Sequence, residues 1–152
     1  MNKRISKQSS TLVELLRWRA CHQAARPAYT FLTDEEQKEV HLTYGELDRR
    51  ARAIAALLES RGATGERALL LHPAGLDYLV ALFGCLYAKI VAVPAYPPHP
   101  ARIDRTLPRL QAIAKDAGAT LVLATRHTLS SMEFLTVAQA EELASLSWIA
   151  TD

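Results

Sequence analysis

Three short, unbroken apolar runs constrain this chain more than any other feature: "ALLLH" (Ala68 to His72), "IVAV" (Ile90 to Val93) and "TLVLA" (Thr120 to Ala124). None alternates in the way a half-exposed strand does. Each is bounded by turn residues, so each reads as a strand buried on both faces. Helical stripes lie between them. Leu79, Leu82, Phe83, Leu86 and Tyr87 form one; Ile103, Leu107, Leu110, Ile113, Ala114 and Ala117 form another, ended by Gly118. A weaker helix over 137–144 precedes "SWIA" (Ser147 to Ala150). Strand, helix and strand at this spacing predict an α/β domain, its sheet mostly parallel, flanked by helices and wound by right-handed crossovers.

Ahead of this core the pattern predicts a helix and a β-hairpin. Residues 1–10 read as a flexible, polar N-terminus, and 11–152 as one unit. Thr11 and Glu14 have capping-box spacing, and Pro27 is the expected stop of that helix. Ala28–Thr33 and Val40–Thr43 are β-prone, joined by the charged "DEEQKE" (Asp34 to Glu39). Thr43 and Glu46 form a second capping box, with Leu42 and Leu47 at the positions of a hydrophobic staple. Gly62 stands where a left-handed cap is expected.

Composition excludes several classes. With 49% hydrophobic and 22% charged residues in 152, the chain has material for a packed core and is not a disordered segment. A net charge of +2 does not point to nucleic acid, whose binders carry a clustered basic face. The N-terminus lacks the apolar core of a secretory signal, so a cytoplasmic protein with reduced Cys21 and Cys85 is expected. Tyr78 to Tyr96 is apolar apart from Lys89, but Lys89 and Pro94 interrupt it, so no membrane span is expected.

Chemistry-bearing motifs are sparse. No glycine pattern makes a phosphate cradle, no serine sits in a nucleophile elbow, and the five histidines lack metal-ligand spacing. No catalytic or metal-ligating residue is therefore assigned. His72 follows a buried strand at the sheet's carboxyl edge, where α/β sheets bind ligands; otherwise it is a loop histidine. Arg102, Arg105 and Arg109 share one helix face, which reads first as solvated and second as a contact for a phosphate or an acidic partner. Cys85 reads as packing, and Tyr87 and Tyr96 as cleft lining or core cover. "VAVPAYPPHP" (Val91 to Pro100) holds four of the seven prolines. Proline cannot donate to a sheet ladder, so pairing is expected to end at Pro94 and a stiff, extended exit to follow.

"LTYGELDRRARAIAALL", "GERALLL", "AGLDYLVALFGCLYA", "VAVPAYPP" and "RLQAIAKDAGA" occur in this order. Together they resemble the start of fatty acyl-AMP ligases, in the adenylate-forming superfamily with acyl-CoA synthetases and peptide-synthetase adenylation domains. The likeness runs from Thr11 to Asp152. It implies the first part of the large N-terminal domain of such an enzyme. It also implies activation of a long-chain fatty acid with ATP and magnesium, and transfer of the acyl group to an acyl carrier protein of a lipid, polyketide or lipopeptide pathway. Pro94, Ala95 and Tyr96 match a family segment near the cleft and are the candidate substrate-binding residues. Lys89 stands where the family has Gly, and "HPAG" (His72 to Gly75) replaces a Pro-Pro-Gly segment. The family's phosphate loop and C-terminal domain have no counterpart here. The resemblance therefore implies a chain that is inactive alone and cofactor-free without the rest of the enzyme. The alternatives are a piece of an acyl-CoA synthetase, or a non-catalytic truncated domain acting as an interaction module.

Overall fold

The computed structural model describes residues 9–33, 38–98, 102–132 and 141–152. Helix α1 (Leu12–His22) opens the described chain, and β1 (Pro27–Leu32) and β2 (Glu39–Thr43) pair as an antiparallel hairpin. Helix α2 (Tyr44–Ser60) leads to β3 (Arg67–Leu71), α3 (Leu76–Ala88) and β4 (Val91–Ala95). Then come α4 (Ile103–Ala117), β5 (Leu121–Ala124), α5 (Arg126–Met132), α6 (Glu141–Ala144) and β6 (Ser147–Ala150). Strands β3 to β6 form one parallel sheet in the order β4-β3-β5-β6.

The unbroken apolar runs are explained by two cores. Side chains alternate across a strand, so a strand covered on both faces needs apolar residues at every position. Ala68, Leu70, Leu121, Leu123 and Ile149 face the core shared with α2 and α3. Leu69, Leu71, Val122 and Ala124 face the core shared with α4 and Leu143 of α6. Helix α3 thus lies on one face and α4 on the other, as right-handed crossovers in opposite directions from β3 require. Helices α2 and α3 pack closely because Gly84 has no side chain: a Cβ there would meet Cγ2 of Ile54 at 2.6 Å.

Helix α2 begins as the sequence indicates. The Thr43 hydroxyl accepts from the Glu46 N–H at 3.3 Å, and the Glu46 carboxylate accepts from the Thr43 N–H at 2.9 Å. These bonds hold the Glu46 carboxyl below its ordinary range, the Thr43 hydroxyl contributing most. Leu42 and Leu47 are both buried in one cluster, which completes the staple.

Several expectations need correction. Thr11 caps α1 through the Glu14 N–H at 3.1 Å, but the Glu14 carboxylate bonds the Ser10 N–H at 2.7 Å, so the reciprocal bond falls one residue earlier. Helix α1 ends at His22, well before Pro27. The Ala24 and Arg26 carbonyls there accept from the first amides of α2, Gly45 and Tyr44, each at 3.0 Å, which draws that segment out of the helix. Pro27 instead opens β1, a position that tolerates a missing donor. Glu39 belongs to β2 rather than to the loop, and His72 lies just beyond β3. Strand pairing does not end at Pro94. Pro94 is in register with Leu70 and Ala95 with Leu71. Strand β4 lies at an edge of the described sheet, and only one of its sides is paired, so a proline fits within it. Helix α5 has no counterpart in the sequence reading. Residues 1–8 of the N-terminal segment, part of the hairpin loop, His99 to Ala101 and the start of the expected 137–144 helix lie outside the described residues.

Candidate functional site at the carboxyl edge of the sheet

Adjacent strands β3 and β5 send their connections in opposite directions on opposite faces, which makes the space beyond their carboxyl ends a topological switch point. The three buried polar side chains among the described residues, His72, Thr125 and Thr128, all lie at this edge. Thr125 follows β5 and caps α5: its hydroxyl accepts from the Thr128 N–H at 3.1 Å and lies 3.0 Å from the Thr128 hydroxyl. The Asp152 carboxylate, beyond β6, accepts from the Arg126 N–H at 2.9 Å.

His72 is only 3% exposed. Its Nε2 lies 2.9 Å from Oγ1 of Thr151, and that hydroxyl points back at the Ala124 carbonyl, 3.4 Å away. With the hydroxyl proton directed at Ala124, the Thr151 oxygen accepts from an Nε2–H of His72. Nδ1 is then an acceptor, and it is buried without a partner. Burial lowers the affinity of His72 for a proton, opposed by the charges of Asp77 and Asp152, so the ring is held neutral near neutral pH. His72 is thus a loop histidine just past β3, and a buried one.

Two hollows open here, and Pro94, Ala95 and Tyr96 line both. The first, about 280 Å³, lies between these residues and His72, Pro73, Ala74 and Tyr78. The second, about 500 Å³, is a groove between Pro94–Pro97 and one face of α4. Arg102, Arg105 and Arg109 stand along it, with Leu110 and Ile113 also in its lining. Pro94 and its neighbours therefore form the partition between an apolar hollow and a basic one. Tyr96 is 85% exposed on that partition and does not cover the core.

Other residues noted in the sequence lie elsewhere. The Tyr87 hydroxyl donates to Asp48 of α2, beneath the guanidinium groups of Arg17 and Arg52. Burial, with Asp48 second, pushes its proton affinity up. Cys85 is fully buried, its thiol pushed up to about 12 by burial, which suits packing and not reactivity. Both Cys21 and Cys85 are free thiols. Among the described residues no group of three or more His, Cys, Asp or Glu side chains is placed to hold a metal ion. Nor is any helix among them long and apolar enough to cross a membrane. Sequence reasoning missed Thr125, Thr128, Thr151 and Tyr78. The signal for Thr125 and Thr151 was their place directly after "TLVLA" and "SWIA", at strand carboxyl ends.

A doubly covered parallel sheet with its polar groups at the carboxyl edge is one of many nucleotide- and ligand-binding arrangements, so fold alone does not choose among them. The family profile described as AMP-binding enzyme matches residues 16–150. The chain belongs to the AMP-binding enzyme family. It is 48% identical over 143 residues to the medium-chain-fatty-acid–[acyl-carrier-protein] ligase JamA of Moorena producens, covering 94% of this chain and 24% of that protein. The crystal structure of a fatty acid AMP ligase from Legionella pneumophila superimposes with a TM-score of 0.82 at 32% identity, covering 99% of this chain and 25% of that one. A fatty acyl-adenylate ligase from L. pneumophila, in complex with acyl adenylate and pyrophosphate, gives a TM-score of 0.80 at 34% identity, covering 95% and 24%. The chain thus spans about a quarter of the length of these relatives. The α/β architecture expected from the apolar runs matches the N-terminal domain of adenylate-forming enzymes.

Proposed function

We propose that the chain forms the first part of the N-terminal domain, over residues 11–152, of an enzyme that activates a fatty acid with ATP. In that reaction a carboxylate oxygen attacks the α-phosphorus of ATP, the acyl-adenylate forms and pyrophosphate leaves. The thiol of an acyl carrier protein then takes the acyl group and AMP departs. The observation that carries this reading is the 48% identity to a fatty-acid–carrier-protein ligase over 94% of the chain. The open carboxyl edge supports it. Pro94, Ala95 and Tyr96 offer a rigid, largely apolar wall to the substrate, and the first hollow is apolar except for His72 and the hydroxyls of Tyr78 and Tyr96. Adenylation needs preorganised donors and cations around the phosphates. ATP and magnesium belong to the whole enzyme, and no residue of this chain is assigned to hold them.

ATP–pyrophosphate exchange tests the reading. The chain alone is expected to give no exchange. A chimera, in which the chain replaces the matching first quarter of the relative, is expected to exchange with medium- or long-chain fatty acids offered side by side. A folded chimera without exchange on any fatty acid would overturn the proposal.

A further inference from the structure

The second hollow differs from the first in charge. Arg102, Arg105 and Arg109 sit along its α4 wall, all exposed, and none has an ion-pair or hydrogen-bond partner for its guanidinium among the described residues. The next polar side chain of the wall, Thr106, spends its proton on the Arg102 carbonyl at 3.0 Å. Asp104 lies on the same helix but pairs with none of the three. Unpaired arginines beside an exposed tyrosine, with Leu110 and Ile113 in the same lining, have the composition of a protein interface: charge at the rim, aromatic and apolar surface inside.

Spacing decides what fits. Residues 102 to 109 span two turns of helix, about 10 Å along the axis. Carboxylates three and four residues apart on a helix repeat at the same interval, so an acidic helix laid along α4 meets each arginine in turn. Its apolar side chains would cover Tyr96 and the half-buried Ile113. From this charge and shape we infer that the groove between Pro94–Pro97 and α4 is the docking surface for an acidic, partly apolar helix of a partner protein. The inference rests on the carrier-protein reading above and names the surface that the acyl acceptor would use.

The probe is an acidic acyl carrier protein prepared without its prosthetic arm, titrated against this chain at low and high ionic strength. Binding is expected at low salt and should weaken as salt screens the rim charges. Arg102→Glu, Arg105→Glu and Arg109→Glu together are expected to weaken it by about tenfold or more, from three rim pairs reversed. The three Arg→Lys changes keep the charge and are expected to retain most binding, with the same circular dichroism spectrum and melt. Equal binding by the glutamate variant would overturn the inference. So would binding confined to the phosphopantetheinylated carrier, which would make a phosphate the recognised group. Exchange by the chimera involves no carrier, so its loss would sink the enzymatic reading, whereas retained exchange with arginine-independent carrier binding would sink this one alone.

Discussion

The two edges of the parallel sheet are built for opposite purposes. At the amino edge α2, α3 and α4 end in the same way. Ala63, Ile90 and Ala119 donate to the carbonyls of Leu58, Cys85 and Ala114, while Gly62, Lys89 and Gly118 donate to Glu59, Leu86 and Lys115. These are Schellman turns, each with one residue in left-handed backbone. The loops are tied further by Gly65 to Lys89 at 3.1 Å, Val91 to Glu66 at 2.9 Å and Thr120 to Arg67 at 3.0 Å. The Thr120 hydroxyl also donates to the Glu66 carboxylate at 2.8 Å. The carboxyl edge instead keeps two hollows, together with a buried acceptor on His72 and three arginines that have no partner among the described residues. The amino edge spends its backbone groups on closing turns, whereas the carboxyl edge leaves side-chain polar groups open to a ligand.

The largest effect should ignore this division. Leu70→Ala, at a fully buried position in the sheet centre, is expected to cost about 2–5 kcal/mol in denaturant titration. Gly84→Ala should cost about 1–3 kcal/mol by forcing α2 and α3 apart, because Ile54 is itself buried. The amino edge is then tested by a reciprocal pair. Gly118 has φ +60° with open space around it, so Gly118→Lys should cost about 1 kcal/mol from backbone strain alone. Lys89, at φ 59°, carries that strain already, and Lys89→Gly should raise stability by up to about 1 kcal/mol. Neither change should alter carrier-protein binding; if either does, the separation of the two edges fails.

The smallest effect is a pH dependence at the carboxyl edge. The folded state lowers the proton affinity of His72, chiefly by burial, below its ordinary value of 6.5. A depressed folded value means that the unfolded chain binds the extra proton. The contribution is therefore complete above pH 6.5 and declines as pH falls below it toward the folded value. His72→Gln keeps a donor toward Thr151 and cannot titrate, so it should flatten this slope in melts recorded across that range. An unchanged slope would show that His72 is hydrated in solution.

The strands of the parallel sheet and the fold class were legible because a sheet covered on both faces demands apolar residues at every strand position, and few other structures do. The capping box at Thr43 and the glycine caps were legible for a similar reason: each is a local bond or a local angle. Lys89 shows the boundary. Its family position is a glycine's, and the turn keeps the glycine geometry because the bonds from Lys89 and Ile90 and the burial of Ile90 hold it there. Helix α5 was invisible because its cap, Thr125, and its first donor's partner, Asp152, come from different strand ends.

The geometry of the candidate site was half legible. Pro94, Ala95 and Tyr96 could be named from a motif, but not that they divide an apolar hollow from a basic groove. Pro94 was expected to end its strand because the sequence does not say whether a strand lies inside a sheet or at its edge. His72 pairs with Thr151, which is 79 residues away, and no local pattern carries that distance. The sequence alone determined which segments must be buried, since burial is a property of each side chain and its period. Only the tertiary structure decided which polar groups meet at the carboxyl edge and which stay unsatisfied, because that depends on strand order and on the side to which each crossover turns.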